Sequence, residues 1–381
     1  MEVSGIICEY NPLHNGHKKQ IDFLRSQGHT VVCLMSGNFV QRGHPAIFDK
    51  MTRAKAALAC GADLVIELPV HYALSSAEGF AAGGVEILSK LCSHLCFGAE
   101  TADSGMLMDT ANALLSPAFS EKLRLQLDKG LSFPSARAAA LDDMGFDAQV
   151  LSTPNNILAV EYCKAILSQH SPLSPLVIHR EGSYHDTIPN ADNPSATALR
   201  RCLEQGEPWD AYVPGEVSEI FPSAAVHTLQ QGEGAILYRL RTMTDEEFEA
   251  LPYGSEGLWR KLMHASRSCN DLESIITYTK SKRYTRTRID RMILCALLQL
   301  TEEQRTQKAP YARVLGFNDR GRSLLNSVKE EGFFLNIGQK SKASYEELEQ
   351  RCGRIYGLFA QKPEKADQES ELRVIYHKTE R

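Results

Sequence analysis

The sequence lacks the features of a secreted or membrane-spanning protein. It contains no apolar run approaching the roughly 18 residues that a membrane-spanning helix requires. Its start, MEVSGIICEY, has neither the basic residues nor the long apolar stretch of a signal peptide. Its ten cysteines are scattered, mostly within apolar segments, which is typical of free thiols in a reducing compartment. We therefore expect a cytoplasmic protein without a disulfide framework.

A strong charge bias is also missing. The 381 residues include 42 Lys and Arg against 47 Asp and Glu, a net charge of −5, which excludes a histone-like polycation. Metal-ligand clusters are scarce: Cys92, His94 and Cys96 form the only close group, and no second ligand pair follows at comparable spacing. We therefore predict no protein metal site. The length suggests two or three domains, and we predict one boundary, between residues 1–210 and 211–381.

Strand and helix patterns alternate through the first half of the chain. Apolar runs predict strands at residues 3–8, 30–35, 63–68, 94–97 and 177–178. Helical spacing predicts helices at residues 16–27, 49–60, 73–91, 105–145 and 193–203. This α/β pattern predicts a Rossmann-like parallel sheet covered on both faces, with ligands at the carboxyl ends of its strands. After Gly206 the alternation stops, and we predict a mostly helical C-terminal domain.

The segment between the first strand and the first helix, EYNPLHNGH (residues 9–17), carries the strongest chemical signal. His14 and His17 are three residues apart, so both lie on one side of the first helical turn. Gly16 lets a ligand approach the backbone closely, and a helix N-terminus offers unpaired N–H groups and a positive dipole end. These features favour phosphate binding and stabilisation of charge on an attacked phosphorus atom.

This His-x-Gly-His segment resembles the signature of the nucleotidyltransferase superfamily. Residues 194–200, PSATALR, resemble the superfamily's second motif: Ser195, Thr197 and Arg200 match it, whereas Pro194 and Ala196 depart from it. Ser195 can cap a helix, and the other two matching side chains would share one face near its positive end. A nucleotidyltransferase domain is what this resemblance implies.

Further motifs resemble the tRNA(Met) cytidine acetate ligase family over nearly the whole chain. They are SGNFVQRG (36–43), DLVIELP (63–69), CFGAE (96–100), PNNIL (154–158), HR (179–180) and KRYTRTRI (282–289). The resemblance implies that ATP activates acetate as acetyl-adenylate, with release of pyrophosphate. Transfer of the acetyl group to N4 of the wobble cytidine of elongator tRNA(Met) would then give N4-acetylcytidine. It implies ATP with Mg²⁺, acetate and this tRNA as partners, with no membrane and no obligate protein partner.

The resemblance also implies a set of site residues, in which His14 and His17 are catalytic. The implied ATP site comprises Ile7, Cys8, Glu9, Tyr10, Asn11, Pro12, Leu13, His14, Asn15, Gly16, His17, Lys18, Lys19, Gln20, Gly98, one of Asn155 and Asn156, Arg180, Ser195, Thr197 and Arg200. From the residues alone, Gly98 and Arg180 each follow a predicted strand at the ligand-binding edge. Glu9 or Glu67 is either a magnesium ligand or an orienting group, and the sequence leaves that choice open.

Residues 280–291 form a second informative segment, with six basic residues and one acid in a chain that is acidic overall. We expect its basic residues to bind tRNA phosphates, with Tyr284 available to stack on an unpaired base. The predicted contacts are Lys280, Lys282, Arg283, Arg286, Arg288 and Arg291. Helical spacing predicts that Arg288 and Arg291 project away from the buried face. Gln41, Arg42, Lys50 and Arg53 are further candidates for phosphate or tRNA contact.

Two other functions remain open from the sequence. Adenylyl transfer to a small phosphorylated metabolite explains the histidine motif but gives no role to the basic segment. A nucleotide-sensing tRNA-binding protein explains that segment, but it would not need both His14 and His17. A class I aminoacyl-tRNA synthetase is less favoured, because no convincing Lys-Met-Ser-Lys-Ser element follows.

Overall fold

The computed structural model describes residues 2–180, 194–328, 332–341 and 345–378. Its strands are β1 (Val3–Cys8), β2 (Thr30–Ser36), β3 (Phe39–Val40), β4 (His44–Pro45), β5 (Leu64–Leu68), β6 (His94–Ala99), β7 (Ser174–His179), β8 (Ala312–Phe317), β9 (Phe334–Asn336) and β10 (Ile375–Tyr376). The helices of the first half are α1 (Asn15–Ser26), α2 (Lys50–Ala59), α3 (Val70–Ala73), α4 (Ala77–Leu88), α5 (Ser104–Leu115), α6 (Pro117–Asp128), α7 (Phe133–Asp142), α8 (Pro154–Ser168) and α9 (Ala196–Gln205). Those of the second half are α10 (Leu229–Thr242), α11 (Asp245–Glu249), α12 (Leu258–Ser268), α13 (Leu272–Thr279), α14 (Arg286–Leu298), α15 (Glu302–Thr306), α16 (Asp319–Ser327), α17 (Tyr345–Tyr356) and α18 (Gln368–Glu371).

The main sheet has the strand order β10-β8-β5-β2-β1-β6-β7, with β9 paired to β8 beside this path. The five strands from β5 to β7 in this order pair in parallel. This confirms the predicted Rossmann-like α/β fold. Because β1 lies inside this parallel set, the loop that follows Cys8 emerges at the middle of the carboxyl edge, where such sheets bind ligands.

The second half of the chain contributes strands that the sequence pattern did not predict. β8 pairs antiparallel with β5, and β9 and β10 pair in parallel with β8. β8 is a single six-residue strand in a mostly helical half of the chain. Its partner β5 is about 250 residues earlier, so no repeated strand–helix pattern nearby marks it as a strand. Helices still dominate this half, as predicted. A domain boundary near residue 210 stays a prediction.

Alternate residues of the central strands fill two cores on opposite faces of the sheet. Val32 and Leu34 face a core that includes Phe97 of β6 and Tyr162 of α8. Val31 and Cys33 face a second core, which contains Ile21 and Leu24 of α1. Apolar burial on both faces explains why these strands are continuous apolar runs. The His14–His17 motif at the start of α1 and the N-terminus of α8 therefore approach the carboxyl edge of the sheet from opposite faces.

The remaining sequence predictions have mixed outcomes. Residues 73–91 were predicted as one helix, but Ala73 is the last residue of α3 and α4 covers only Ala77–Leu88. Ser76 caps this new helix by accepting a hydrogen bond from the backbone N–H of Gly79 (3.4 Å). All ten cysteines are free, as expected, and all but Cys269 are buried. Within the described ranges, no helix has both the length and the apolarity needed to cross a bilayer.

Candidate active site

The loop after β1 places two imidazole rings in direct contact. His14 is the N-terminal cap of α1, and its ring stacks on that of His17 with centroids 3.7 Å apart and planes 20° from parallel. The backbone N–H of His14 donates to Nδ1 of His17 (3.4 Å). Since Nδ1 of His17 accepts a hydrogen bond, the neutral ring carries its proton on Nε2. The two histidines that the sequence spacing brought to one helical turn thus form a single unit.

Both imidazoles are neutral in the folded protein. His14 is only 1% exposed, and within the described part of the chain neither of its ring nitrogens has a hydrogen-bond partner. Burial, reinforced by the positive charges of Arg180 and Arg200, lowers the pKa of His14 to about 3. Burial, followed by His14 and Arg180, also holds the pKa of His17 well below its ordinary value. Buried donors without partners are suited to receive an oxygen-rich ligand.

This depressed pKa predicts a loss of stability in acid. The unfolded His14 takes up a proton below its ordinary pKa of 6.5, whereas the folded ring stays neutral down to about pH 3. The free energy of unfolding should therefore fall as pH drops below 6.5, by up to about 1.4 kcal/mol per pH unit for each such histidine. Urea unfolding between pH 7.5 and pH 5 measures this slope. A double variant, His14→Gln with His17→Gln, should show a shallower slope, and an unchanged slope would contradict the assignment.

The second motif joins the first at this loop. Ser195 caps α9 by accepting a hydrogen bond from the N–H of Ala198 (3.1 Å), as the sequence predicted. Arg200 donates through Nη1 to the carbonyl oxygen of Asn11 (2.6 Å) and through Nη2 to the hydroxyl of Thr197 (3.1 Å). The guanidinium of Arg200, which belongs to α9, therefore holds the loop between β1 and α1 in place. Arg200 and Arg180 supply the positive charge around His14.

Gly98 and Arg180 lie side by side on neighbouring strand ends. A Cβ atom added at Gly98 would lie 3.8 Å from the side chain of Arg180, an ordinary contact, so internal packing does not require glycine there. The backbone N–H of Arg180 donates to the carbonyl of Ala99 (2.9 Å), and its side chain is exposed. The segment that follows it, residues 181–193, lies outside the described residues. Together, Gly98 and Arg180 place a residue without a side chain and a positively charged side chain at the carboxyl edge of the sheet, where ligands bind.

The two asparagines at the start of α8 have different surroundings. Asn156 is buried, and its amide both accepts from the N–H of Thr101 (2.9 Å) and donates to the hydroxyl of that residue (3.0 Å). Asn155 is half-buried and donates to Glu100 (2.8 Å), and its amide oxygen accepts no hydrogen bond from the residues that the structure describes. Of the two alternatives that the sequence left open, the geometry favours Asn155 as a ligand contact.

Other residues of the predicted ATP set face away from a ligand or lie beneath the loop. Five side chains are buried: Cys8, Tyr10, Asn11, Pro12 and Leu13. Lys18 pairs with Asp22 (2.7 Å) and Glu216 (3.2 Å) on the outer side of α1. Three further side chains pack around the edge of the loop: Asn15 donates to the carbonyl of Ala211, Gln20 donates to that of Cys96, and Ile7 packs against the core. Any contribution of these residues to ATP binding would come from their backbone N–H and C=O groups or from the shape that they give to the loop.

Arg53, which the sequence offered as a phosphate contact, is instead a fully buried clamp. It is 0% exposed and donates to four backbone carbonyls: those of Phe48 (2.9 Å), Glu9 (2.6 Å), Ser36 (3.0 Å) and Gly37. These carbonyls belong to the ends of β1 and β2 and to the start of α2. The single guanidinium of Arg53 therefore joins the loop that follows β1, which carries His14, to the loop that follows β2. No sequence pattern indicates this role, because an Arg in the first turn of a helix is usually solvated.

Lys50 is also buried rather than available to a ligand. Its ammonium pairs with Glu67 (2.8 Å) and with Glu369 of α18, beside a cavity of about 20 Å³, room for one or two water molecules. Arg313 and Glu349 (2.9 Å) pair across the same cavity, where burial and then Glu67 raise the pKa of Glu349 to about 7. These ion pairs connect α17 and α18 with α2, β5 and β8.

The carboxylates nearest the strand ends differ in how fully protein donors occupy them. Glu67 is paired with Lys50, and Glu9 accepts a hydrogen bond from the N–H of Gln41 (2.7 Å). Glu100 accepts from Thr153, Asn155 and the N–H of Asn156. Mg²⁺ takes one or two carboxylates together with phosphate and water oxygens. Glu67 and Glu100 do not suit it, whereas Glu9 accepts a single side-chain hydrogen bond among the described residues, at Oε1, which leaves its second oxygen for a ligand.

The basic segment is more strongly tied to the protein than its sequence suggests. Arg286 makes a two-pronged ion pair with Glu273 (2.6 Å and 2.6 Å), and Arg288 donates to the carbonyl of Tyr253 (3.0 Å) and to Glu256 (3.2 Å). The expectation that Tyr284 is free to stack is wrong. It is 9% exposed, and its hydroxyl donates to the carbonyl of Glu256 (2.5 Å), which fixes the turn into α14. Lys280, Lys282 and Arg283 are exposed.

Arg291 does not project from α14 as predicted. It is 8% exposed, and its Nη1 donates to the carbonyl of Gln41 (3.4 Å) in the loop between β3 and β4. Gly43 (φ +85°) brings this loop so close to α14 that an added Cβ would lie 2.5 Å from the backbone nitrogen of Arg291. Gln41 is held at its N–H by Glu9. The loop therefore connects the basic segment directly with the residue that follows β1.

Comparison with known proteins agrees with this geometry. Residues 1–371 match the model of the HIGH Nucleotidyl Transferase family. The tRNA(Met) cytidine acetate ligases of Clostridium acetobutylicum and of Caldanaerobacter subterraneus subsp. tengcongensis are 37% and 38% identical to this chain. Each alignment covers 87% of this chain, with 88% and 87% of the respective relative.

The crystal structure of apo TmcAL from Thermotoga maritima superposes over the full length of both chains with a TM-score of 0.91 at 28% identity. A second structure of that protein, bound with alpha-thio ATP, gives 0.89 at 27% identity over the same full lengths. The stacked histidine pair, the arginines beside it and these relatives together show that this chain belongs to the tRNA(Met) cytidine acetate ligase family of HIGH nucleotidyl transferases.

Proposed function

We propose that this chain uses ATP to activate acetate as acetyl-adenylate and then acetylates N4 of the wobble cytidine in elongator tRNA(Met). The observation that carries the proposal is the stacked pair of His14 and His17 at the N-terminus of α1, next to Arg180 and Arg200. Neutral N–H donors, two guanidinium groups and a helix N-terminus are the groups that an in-line attack on a phosphate needs. The relatives named for this activity support it.

In the first step a carboxylate oxygen of acetate attacks the α-phosphorus of ATP, and pyrophosphate leaves. His14 and His17 donate hydrogen bonds to the phosphate oxygens while Arg180 and Arg200 balance their growing charge. Because both imidazoles stay neutral far below pH 7, they act as donors and do not hold a full positive charge. Fixed donors of this kind need no rearrangement as charge develops, which is the main source of the rate enhancement.

The ATP contacts that the geometry supports form a smaller set than the sequence suggested. Gly98 leaves room at the strand end, Asn155 offers its amide oxygen, and Arg180 is exposed beside them. Thr197 and Arg200 close the site from α9. The phosphates would also lie at the N-terminus of α1, the positive end of its helix dipole.

In the second step the N4 amine of cytidine attacks the acetyl carbonyl carbon. The bond to the phosphate oxygen breaks, AMP leaves, and the amine loses a proton to give the neutral amide. The exposed residues Lys280, Lys282 and Arg283 are suited to hold the tRNA backbone. The loop from Gln41 to Gly43 links their segment to the histidine site, which supports one continuous path for the RNA.

The first step can be tested by pyrophosphate exchange. Labelled pyrophosphate should be incorporated into ATP only when acetate is present, and tRNA should not be required. Exchange without acetate would contradict the proposal and favour adenylyl transfer to another acceptor, for which phosphorylated metabolites can be screened. Tight binding of ATP and tRNA without any exchange would favour a nucleotide-sensing tRNA-binding protein.

Salt dependence separates the basic residues that touch RNA from those that do not. Lys282→Gln and Arg283→Gln should each lower the slope of log Kd against log salt by about 0.7 to 0.9, because each removes one phosphate contact. The ion pair of Arg283 with Glu256 (3.3 Å) lies at the surface, so exchanging it for a phosphate costs little. Arg291→Gln is the matched control: its side chain is buried, so the slope should not change. Filter binding at 50 to 300 mM salt would measure all three variants, and equal slopes for all of them would contradict the assignment.

A further inference from the structure

Helix α12 turns a basic face to solvent, and the proposed function gives this face no role. Arg260 and His264 are exposed four residues apart, on one side of the helix, and Lys261 beside them is half-buried. The other side of the helix packs Leu258 and Leu262 into a core of the second half of the chain. We refer to Arg260, Lys261 and His264 as the α12 face.

The cations of the α12 face are not neutralised by the protein itself. Within the described residues, neither Arg260 nor Lys261 has an acidic partner, whereas the acids around them are already occupied. Asp245 pairs with Arg267 (2.6 Å) at the C-terminal end of α12, and Glu256, just before the helix, is shared by two arginines of the basic segment. The first half of α12 therefore keeps a positive potential that attracts phosphate groups.

Two of these cations are held in place while their donors stay available. The guanidinium carbon of Arg260 lies 4.8 Å from the ring centroid of Trp259, which itself packs against the core. Such a cation–π contact positions the guanidinium without using its N–H groups. The ammonium of Lys261 donates to the carbonyl of Lys280 (3.3 Å), which leaves it two further N–H groups. Both side chains can therefore bind an anion with little loss of side-chain freedom.

The α12 face is continuous with the basic segment. The hydrogen bond from Lys261 to Lys280 joins α12 to the turn that precedes α14. At Gly257, the N-terminal cap of α12, an added Cβ would lie 3.9 Å from the hydroxyl of Tyr284, the residue that fixes this turn. The face therefore adjoins the exposed cations of the turn, which are Lys280, Lys282 and Arg283.

This surface extends away from the histidine site. The loop from Gln41 to Gly43 meets α14 at Arg291, and the helix begins at Arg286, about 7 Å farther along its axis. The turn and then α12 follow beyond Arg286. A wobble cytidine belongs to the anticodon loop, and the RNA that continues away from that loop is the base-paired anticodon stem. Proteins recognise duplex RNA mainly through its phosphates and 2′-hydroxyl groups.

We infer that the α12 face binds the phosphate backbone of the anticodon stem, while the turn at residues 280–283 holds the anticodon loop. This inference rests on the proposed function. The planar guanidinium of Arg260 suits a two-pronged contact with one phosphate, and the ammonium of Lys261 acts as a point charge on a neighbouring one. Contacts of this kind fix the position of the RNA but do not read its sequence. The face therefore adds affinity for the stem.

The test compares Arg260→Gln and Lys261→Gln on two RNA probes, a hairpin of the anticodon stem and loop and the same loop as a single strand. Filter binding is carried out at salt low enough for both probes to bind. Each variant should raise the Kd for the hairpin by roughly 3- to 10-fold and lower its salt slope by about 0.9. The Kd for the single strand should stay within about twofold. Arg124→Gln is the matched control, because Arg124 is equally exposed on α6, a helix packed on α5 and α7, and it should change neither Kd.

The outcomes separate the surface from the proposed function. If the native chain shows acetate-dependent pyrophosphate exchange and both variants bind the hairpin as tightly as it does, the α12 face is overturned while the proposed function stands. Equal weakening on hairpin and single strand would place the contact on the loop and overturn the assignment to the stem. If the variants weaken only the hairpin but the native chain shows no such exchange, the proposed function fails and the RNA surface stands. Should Arg260→Gln disturb the packing of Trp259, Lys261→Gln alone decides.

Discussion

Replacing His14 with alanine is expected to lower the rate of acetate-dependent pyrophosphate exchange by about 100- to 1000-fold. Removing one preorganised donor from a site that stabilises developing charge has an effect of this size. His14 also stacks on His17 at 3.7 Å, so the substitution would leave that ring less firmly held. The Kd for tRNA should not change, because the exposed basic residues lie on the C-terminal half of the chain. Steady-state exchange and filter binding on the same preparation measure both quantities.

A second buried histidine provides a matched control for this experiment. His71 of α3 is 1% exposed, and burial lowers its pKa to about 4, but it contacts Tyr72 and Tyr345 rather than the signature loop. His71→Ala should leave the turnover number within about threefold of the native value, although it also removes a buried ring. Equal losses of activity in the two variants would mean that His14 acts only through stability, which would contradict its catalytic role.

Replacing Arg53 with methionine is expected to reduce the free energy of unfolding by roughly 3 to 5 kcal/mol. The variant leaves four buried carbonyl oxygens without donors at the ends of β1 and β2, and each unpaired group costs about 1 kcal/mol or more. Arg53→Lys keeps the charge but cannot reach all four carbonyls, so its loss should be intermediate. Urea denaturation at pH 7.5 measures the three proteins.

Arg241 is a suitable comparison for Arg53. It also donates to backbone carbonyls, those of Cys269 and Asn270, but at 3.4 Å and on the surface. Arg241→Met should change the free energy of unfolding by no more than about 0.5 kcal/mol. If Arg53→Met were no more destabilising than this, the clamp between the two loops would not contribute to the fold. Any loss of activity in the Arg53→Met variant would then have a cause other than reduced stability.

Local patterns predicted the centre of the fold and of the candidate site. Continuous apolar runs gave the five parallel strands, because their two buried faces are a property of the local sequence. The spacing of His14 and His17 likewise fixed their common side of α1, and the capping role of Ser195 followed from its place before a helix. These features depend on residues close together in the chain.

The features that the sequence missed depend on distant partners. β8 joins β5 from the other half of the chain, and Arg53 meets carbonyls that its own helix does not determine. Tyr284 and Arg291 have the composition of an RNA-binding surface, but contacts with Glu256 and Gln41 bury them. The buried hydroxyl of Ser36, which has no hydrogen-bond partner in the described part of the chain, could not be found either, since a serine at a strand end has no distinguishing pattern before the strands are paired.

The most direct measurement of the central claim is the fate of labelled acetate. The protein would be incubated with ATP, acetate labelled in its methyl group and elongator tRNA(Met), in parallel with the same tRNA carrying uridine at the wobble position. The account predicts one label per tRNA, recovered as N4-acetylcytidine after nuclease digestion, with stoichiometric AMP and no label on the uridine variant. Consumption of ATP with no label in RNA, or equal labelling of the two tRNAs, would contradict it.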